Sequence, residues 1–332
     1  MKQILFIVSI LFFTITSQAQ ISNAKAEDFP DMKSRTLIVE MLEIDNKLIE
    51  KWEKKKSKEK KEAKIAEYQD KIDKYETFVT DYNNLIKEAI QNHWNVNPEV
   101  IYKTTSEVKE LIKGDTEEYT VLWYSETNSK RQDSYGFTYF PSLTVPTLNY
   151  SRIEKGRIKT DYCYFINYTH NRNDQIKYSD FVLSLKLMNQ HMDYIVENNK
   201  KKFSFHKYVL EVSPQNCPEF SGNTAYIQKE AIHEKTSLPE INANFSGEIK
   251  TLSEKDISIA IENEEDRIIG FFFPFSIVVG NFGPATTARI QYVRSFVNTK
   301  TGEIYTNMGG KNGQLFDAYF REKEFGKYDT CK

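Results

Sequence analysis

Apolar side chains recur at alternating spacings of three and four residues between positions 65 and 89, the pattern of a helix with one apolar stripe. The stripe consists of Ile65, Tyr68, Ile72, Tyr75, Val79, Tyr82, Ile86 and Ala89. The wider segment 44–91 contains no Gly or Pro and is dense in Lys and Glu, and Asp45 is a suitable N-cap. We therefore predict a long helical segment. Its stripe needs a partner, which is a preceding helix carrying Leu48, Ile49 and Trp52, the body of the protein, or a second chain; we favour packing within the chain.

Beyond residue 91 short apolar runs alternate with polar breaks, as is typical of strands joined by short helices. Strands are predicted at 99–103, 119–124 and 268–272, with a short helix at 106–113. Strand-like runs also fill 135–168, and a polar hairpin turn is predicted between 292–297 and 304–306. Two further strands are predicted at 180–187 and 207–212, joined by a helix at 188–198.

The two halves of the chain resemble each other at an offset of 149 residues. At this offset Val108, Leu111 and Ile112 align with Ile257, Ala260 and Ile261, and the strand at 119–123 aligns with 268–272. The segments 35–42 and 223–228 are the matching first strands. We predict an α+β fold of two related lobes, 20–175 and 176–332, with mixed or antiparallel sheets and a helical insertion at 44–91 in the first lobe. The alternative is a chance resemblance between short segments.

The N-terminus has the pattern of a secretory signal peptide. Met1-Lys2 is followed by an apolar run at 4–16 and by Ser17-Gln18-Ala19, which places small residues before a cleavage site. We predict a signal peptide at 1–19 and a mature chain that is exported to the periplasm or secreted. The alternative is a retained anchor or a core segment. No later apolar run is long enough to span a bilayer.

Export would place the three cysteines in an oxidising compartment. Their odd number excludes complete pairing within one chain. Cys163 lies in a predicted strand and is expected to be a buried thiol, whereas Cys217 and Cys331 lie in loop and tail contexts. Cys217 and Cys331 are the pair that we expect if a disulfide forms.

Composition excludes several classes of protein. The chain of 332 residues is 39% hydrophobic and carries a formal net charge of -2, so it can build a core and has no overall attraction for nucleic acid or anionic membranes. Eight Lys and four Glu lie between positions 50 and 64. Because the two signs are interleaved, we interpret this run as a solvated helix rather than a nucleic-acid patch.

The motifs of the common catalytic and metal-binding sites are absent. There is no G-x-S-x-G, H-E-x-x-H, C-x-x-C or phosphate-binding loop, and no two histidines have the spacing of a shared metal site. No catalytic residue, metal ligand or cofactor is therefore predicted. Carboxylate catalysis has no local sequence signature, so these absences do not exclude an enzyme.

Two polar or aromatic segments are the candidate ligand-binding sites. His170, Asn171 and Arg172 follow a predicted strand, where loops often carry function, and Tyr135 and Tyr139 could stack on a sugar or peptide. The alternatives are a solvated loop and a structural core. The aromatic run at 271–275 is expected to be core, because Phe has no polar end.

The sequence favours an exported, non-enzymatic module that binds a ligand or a protein. The partner could be a glycan, a peptide, or a protein or second copy bound through the helical insertion. The alternative is an exported glycan or peptide hydrolase whose carboxylate or histidine site is assembled only by folding.

Overall fold

The computed structural model describes residues 15–18, 24–114, 117–128, 144–165, 176–201, 203–281, 286–307 and 318–328. The strands are β1 (Ile15–Gln18), β2 (Thr36–Met41), β3 (Val100–Thr104), β4 (Tyr119–Asn128), β5 (Thr144–Glu154), β6 (Arg157–Phe165), β7 (Thr224–Gln228), β8 (Glu248–Leu252), β9 (Ile268–Asn281), β10 (Thr286–Asn298) and β11 (Ile304–Asn307). The helices are α1 (Asp28–Ser34), α2 (Asn46–Lys56), α3 (Glu62–His93), α4 (Thr105–Lys113), α5 (Tyr178–Glu197), α6 (Phe205–Phe220), α7 (Leu238–Ala243), α8 (Glu254–Glu262) and α9 (Glu322–Tyr328), and a 3-10 turn spans Lys229–Ala231. The fold is α+β, as predicted.

The first sheet has the strand order β3-β2-β4-β5-β6. Strand β2 is parallel to both β3 and β4, and β4, β5 and β6 form an antiparallel meander. Helix α4 crosses from β3 to β4. It begins at a capping box in which the side chains of Thr104 and Glu107 each bond the other residue's backbone N–H.

The second sheet has the order β8-β7-β9-β10-β11, which matches the first strand for strand. Strand β7 is parallel to β8 and β9, and β9, β10 and β11 are antiparallel. Strand β1 pairs with the far end of β9, from Ser276 to Val279. Because β1 lies within the predicted signal peptide, cleavage after Ala19 would remove it.

Helices α2 and α3 form an antiparallel hairpin. Asp45 caps α2 by accepting hydrogen bonds from two backbone N–H groups. The Trp52 ring meets Tyr75 edge-on at 5.7 Å, and Lys56 donates to Gln69 at 2.7 Å. Further along α3, Ile72, Val79, Tyr82, Ile86 and Ala89 are buried within the chain, as predicted for this part of the stripe, whereas Ile65 at its start is exposed.

Two strand predictions are wrong. The segment 180–187 belongs to α5 and 207–212 to α6, so Cys217 lies in a helix and not in a loop. Helix α5 is apolar around most of its circumference, and such a helix cannot be distinguished from a buried strand by periodicity. In α6, Pro214 and Pro218 lie inside the helix, where local preference opposes the structure that packing imposes.

Helix α5 lies between the two halves and joins their cores. Its buried Met188 belongs to one apolar cluster with Leu37 of the first sheet and Phe273 of the second. Phe271, Phe272 and Phe273 are at most 2% exposed, which confirms the prediction that they are core. In the described ranges, no helix combines the length and the apolar character needed to cross a bilayer.

Candidate functional site

Five residues were predicted from the sequence to bind a ligand. They are Tyr135, Tyr139, His170, Asn171 and Arg172, and all five lie outside the described residues.

The structure bears on the prediction that Cys217 forms a disulfide. Cys217 on α6 is disulfide-bonded and buried. Its expected partner, Cys331, lies outside the described residues. The side chain of Cys163 is also outside the described part of the chain, so the pairing of Cys217 with Cys331 stays a prediction.

A polar cleft of about 530 Å³ lies where the end of α3, one face of α5 and the turn after α8 meet. Its carboxamides are Gln91, Asn92, Asn95, Asn189 and Gln190. Its titratable groups are His93, Lys186, Asp193 and Glu264. We call this site the carboxamide cleft.

The end of α3 is fixed by a buried polar hub at Asn97. The Asn97 amide nitrogen donates to the carbonyl oxygens of Met32 and Arg35, both at 2.9 Å. Its amide oxygen accepts from Trp94 Nε1 and from the Tyr150 hydroxyl, both at 3.1 Å. These bonds tie the end of α3 to α1 and to the first sheet, so residues 91–95 are held at the rim of the cleft.

The second wall is a polar stripe on α5. Lys186, Asn189, Gln190 and Asp193 stand at positions i, i+3, i+4 and i+7, which places them on one face of the helix. The rest of α5 is largely buried and apolar. A polar stripe on a helix that is otherwise buried has to face a cavity or a polar surface, and here it faces the cleft.

Contacts from both halves hold this stripe in place. Lys186 Nζ donates to the carbonyl oxygens of Thr299 and Lys300, each at 2.8 Å, in the turn between β10 and β11. Gln190 Nε2 donates to the Thr301 carbonyl of the same turn. At the other end, Asp193 pairs with Lys33 of α1.

Glu264 forms the third wall from an unusual backbone position. It follows α8 with φ of 49°, the left-handed conformation that usually selects Gly, and the Glu265 N–H bonds back to the Ala260 carbonyl at 2.9 Å. A non-Gly residue there costs roughly 1 kcal/mol. This backbone conformation places the Glu264 carboxylate 3.0 Å from Lys186 Nζ and 3.6 Å from His93 Nδ1.

His93 is held by neighbours at both ring nitrogens. Nε2 lies 3.2 Å from the Tyr178 hydroxyl, which also accepts from Asn92, and Nδ1 faces Glu264. Burial lowers the pKa of His93; Glu264 opposes this effect and Lys186 adds to it. A neutral imidazole whose Nε2 bonds the Tyr178 hydroxyl is suited to positioning Tyr178. It is poorly placed to take a proton from a substrate.

Two acceptors in the cleft lack donors. The side-chain oxygens Asn189 Oδ1 and Gln190 Oε1 are buried and accept no hydrogen bond within the described part of the chain. A buried acceptor without a donor costs roughly 1–3 kcal/mol. Because both oxygens are inaccessible to solvent, the two side chains would have to turn toward the cleft before a ligand could donate hydrogen bonds to them.

Sequence reasoning missed the carboxamide cleft for an identifiable reason. The segment 180–187 was predicted as a strand and 188–198 as a helix, so Lys186 was assigned to a different element from Asn189, Gln190 and Asp193. The usable signal is the helical spacing from Lys186 to Asp193 within an apolar run. It becomes visible only when the run is assigned to one helix.

A second cleft, of about 480 Å³, lies at the end of the second sheet. There the polar groups satisfy one another: Asn298 donates to Asp266 at 2.7 Å, and the Tyr305 hydroxyl donates to Glu303 at 3.1 Å. It therefore has less unused hydrogen-bonding capacity than the carboxamide cleft.

Neither a metal-binding cluster nor a similar protein of known function indicates a role for these clefts. Within the described ranges, no three His, Cys, Asp or Glu side chains are grouped closely enough to hold a metal ion. No protein-family model, no curated protein and no solved structure matches the chain.

Proposed function

We propose that the protein is an exported binding module that holds a hydroxyl-rich ligand, of the glycan class, in the carboxamide cleft. The observation that carries the proposal is the group of five carboxamide side chains that line the cleft, two of which, Asn189 and Gln190, have an oxygen without a donor among the described residues. A hydroxyl donates one hydrogen bond and accepts others, and a carboxamide offers both functions. A group of neighbouring carboxamides therefore complements the adjacent hydroxyls of a sugar better than it complements a single charged group.

The hydrolase alternative has one observation in its favour, the approach of His93 to Glu264 inside a cleft. The hydrogen bond between His93 Nε2 and the Tyr178 hydroxyl favours binding instead. An activity screen on glycan and peptide substrates distinguishes the two functions: turnover that disappears in Glu264→Gln supports the enzyme. Ligand binding without turnover supports the module.

Two observations support export. The sequence has the three-part pattern of a signal peptide, and Cys217 on α6 is disulfide-bonded. Structural disulfides persist in oxidising compartments and are rare in reducing ones. Fractionation of the native host, with detection of a mature N-terminus near Gln20, tests this part of the proposal.

The two halves are proposed to be a duplication, with the α2–α3 hairpin inserted in the first. The support is the identical strand order and a pair of capping boxes, Thr104 with Glu107 and Ser253 with Asp256, that are 149 residues apart. Between β7 and β8 the second half has only the 3-10 turn and α7, where the first half has the hairpin. The carboxamide cleft uses elements from both halves.

The ligand test is a glycan array followed by titration calorimetry on the purified protein. Asn189→Ala removes one of the orphaned acceptors at a helix position that tolerates Ala. We expect binding to weaken about tenfold, the loss of one hydrogen bond of about 1.4 kcal/mol. The matched control is Gln215→Ala on the exposed face of α6, which should bind like the wild type. No binding to any glycan, or equal losses in both variants, would contradict the proposal.

A further inference from the structure

The end of the α2–α3 hairpin is a lysine-rich projection. Residues 50–64, which we call the lysine tip, contain eight Lys and four Glu and include the turn between the helices. Helix α2 packs chiefly on α3, and α3 is largely exposed before Ile72. The tip therefore extends away from the two sheets.

Most of this positive charge is not neutralised locally. Lys56 pairs with Glu53, and Lys64 pairs with Glu67. The remaining lysines have no ion-pair partner among the described residues, and all of them are exposed. They are Lys51, Lys54, Lys55, Lys58, Lys60 and Lys61.

Charge is distributed unevenly over the molecule. The lysine tip carries a formal charge of +4, while the whole chain carries -2, so the remainder carries -6. A protein with this asymmetry is turned by an external field so that its positive end faces a negative surface. The small net charge conceals that orienting effect.

The chemistry of the tip favours an extended anionic surface over a discrete phosphate or a nucleic acid. Its cations are all Lys, which act as hydrated point charges, with no Arg fork for bidentate recognition. Its one aromatic side chain, Trp52, packs on Tyr75 and is not a stacking platform. Ile65 is 37% exposed beside Lys64 and can enter the interface of a bilayer.

We infer that the lysine tip docks the protein on an anionic lipid surface. Each lysine near such a surface adds to the binding free energy through the negative surface potential of the lipids, and no shaped pocket is needed. Docking leaves the carboxamide cleft exposed, so the inference does not depend on the proposed ligand.

The test measures binding of the purified protein to vesicles of phosphatidylcholine with roughly 30% phosphatidylglycerol, in about 0.1 M salt. Deleting the hairpin is unsuitable because α3 also supplies the buried side chains of Val79, Tyr82 and Ile86. The tip variant instead carries Lys54→Glu, Lys55→Glu, Lys58→Glu and Lys61→Glu, all at exposed positions. A second variant with Gln at these positions separates loss of charge from reversal of charge.

A matched control applies the same change in net charge elsewhere. Lys229→Glu, Lys235→Glu, Lys255→Glu and Lys323→Glu alter exposed lysines in the second half. We expect the tip variant to bind at least roughly tenfold more weakly than the wild type, the Gln variant to be intermediate, and the control to lose much less. Circular dichroism checks that each variant is folded.

Three results would overturn the inference. The first is no preference of the wild type for anionic over neutral vesicles. The second is an equal loss in the tip and control variants, which would indicate net charge and not the tip. The third is tight binding to duplex DNA through the tip without binding to vesicles, which would assign the tip to nucleic acid.

Discussion

His191 should make the fold sensitive to acid. It lies on α5, next to Gln190 of the carboxamide cleft, and it is fully buried. Its ring stacks on Tyr208 with centroids 5.0 Å apart and lies 5.7 Å from the ring of Phe205. Burial among these rings lowers the pKa of His191 to about 3, so the folded protein holds it neutral.

The size and sign of the effect follow from linkage. In the unfolded chain His191 takes up a proton near its ordinary pKa of 6.5, whereas the folded chain does so only near 3. As pH falls below 6.5 the unfolded state binds more protons than the folded state, so stability decreases. At pH 5 the loss is about 2 kcal/mol, and it grows until the pH reaches the folded pKa.

The assay is urea unfolding at pH 7 and pH 5 for the wild type and for His191→Leu. Leu fills a similar volume and cannot titrate, while every other ionisable group is common to both proteins. The free energy of unfolding of the wild type should therefore fall by about 2 kcal/mol more than that of the variant. Equal losses in the two proteins would refute the reasoning. The variant's stability at pH 7 does not enter this comparison.

Three further predictions concern buried polar groups and the disulfide. Asn97→Ala should lower the free energy of unfolding, measured in urea, by about 3 kcal/mol, because several buried partners lose hydrogen bonds together. A loss below about 1 kcal/mol would contradict the stabilising role of the Asn97 hydrogen bonds. Glu324→Gln removes the carboxylate that faces fully buried Arg294 and should cost about 3 kcal/mol, whereas the double variant Arg294→Met with Glu324→Leu should recover most of it. A double variant no more stable than Glu324→Gln would count against the pair. Cys217→Ser should lower stability by about 2 kcal/mol or more, and dithiothreitol should reproduce this in the wild type but not in the variant.

Much of the fold was accessible from the sequence because local and tertiary preferences agree there. The strand and short helix around Thr104 were predicted within one residue, and the following strand from its first residue to four residues short of its end, since the apolar face indicates that helix. Asp45 was likewise identified as an N-cap. Helix α5 was predicted only in part, at 188–198, because its first turns are buried on nearly all sides and show little helical period, and α6 was missed because Pro214 and Pro218 oppose a helix.

The carboxamide cleft was less accessible for a different reason. Its walls come from three segments that are far apart in sequence, around His93, Lys186 and Glu264, and no local spacing relates them. Glu264 is the clearest example. Its left-handed backbone is set by the end of α8, and nothing in the residue type Glu indicates that conformation.

The α2–α3 hairpin, which has no counterpart between β7 and β8, gives the cleft a wall that only the first half supplies. Two sheets of the same strand order would give matching surfaces, but the rim at residues 91–95 belongs to α3, and the second half has no counterpart of that helix in the part of the chain that the structure describes. The same helix begins in the lysine tip. At 32 residues and 1.5 Å per residue it is about 48 Å long. A tip held on a lipid surface with α3 upright would place the cleft tens of ångströms from that surface, within reach of ligands that lie beyond the headgroups.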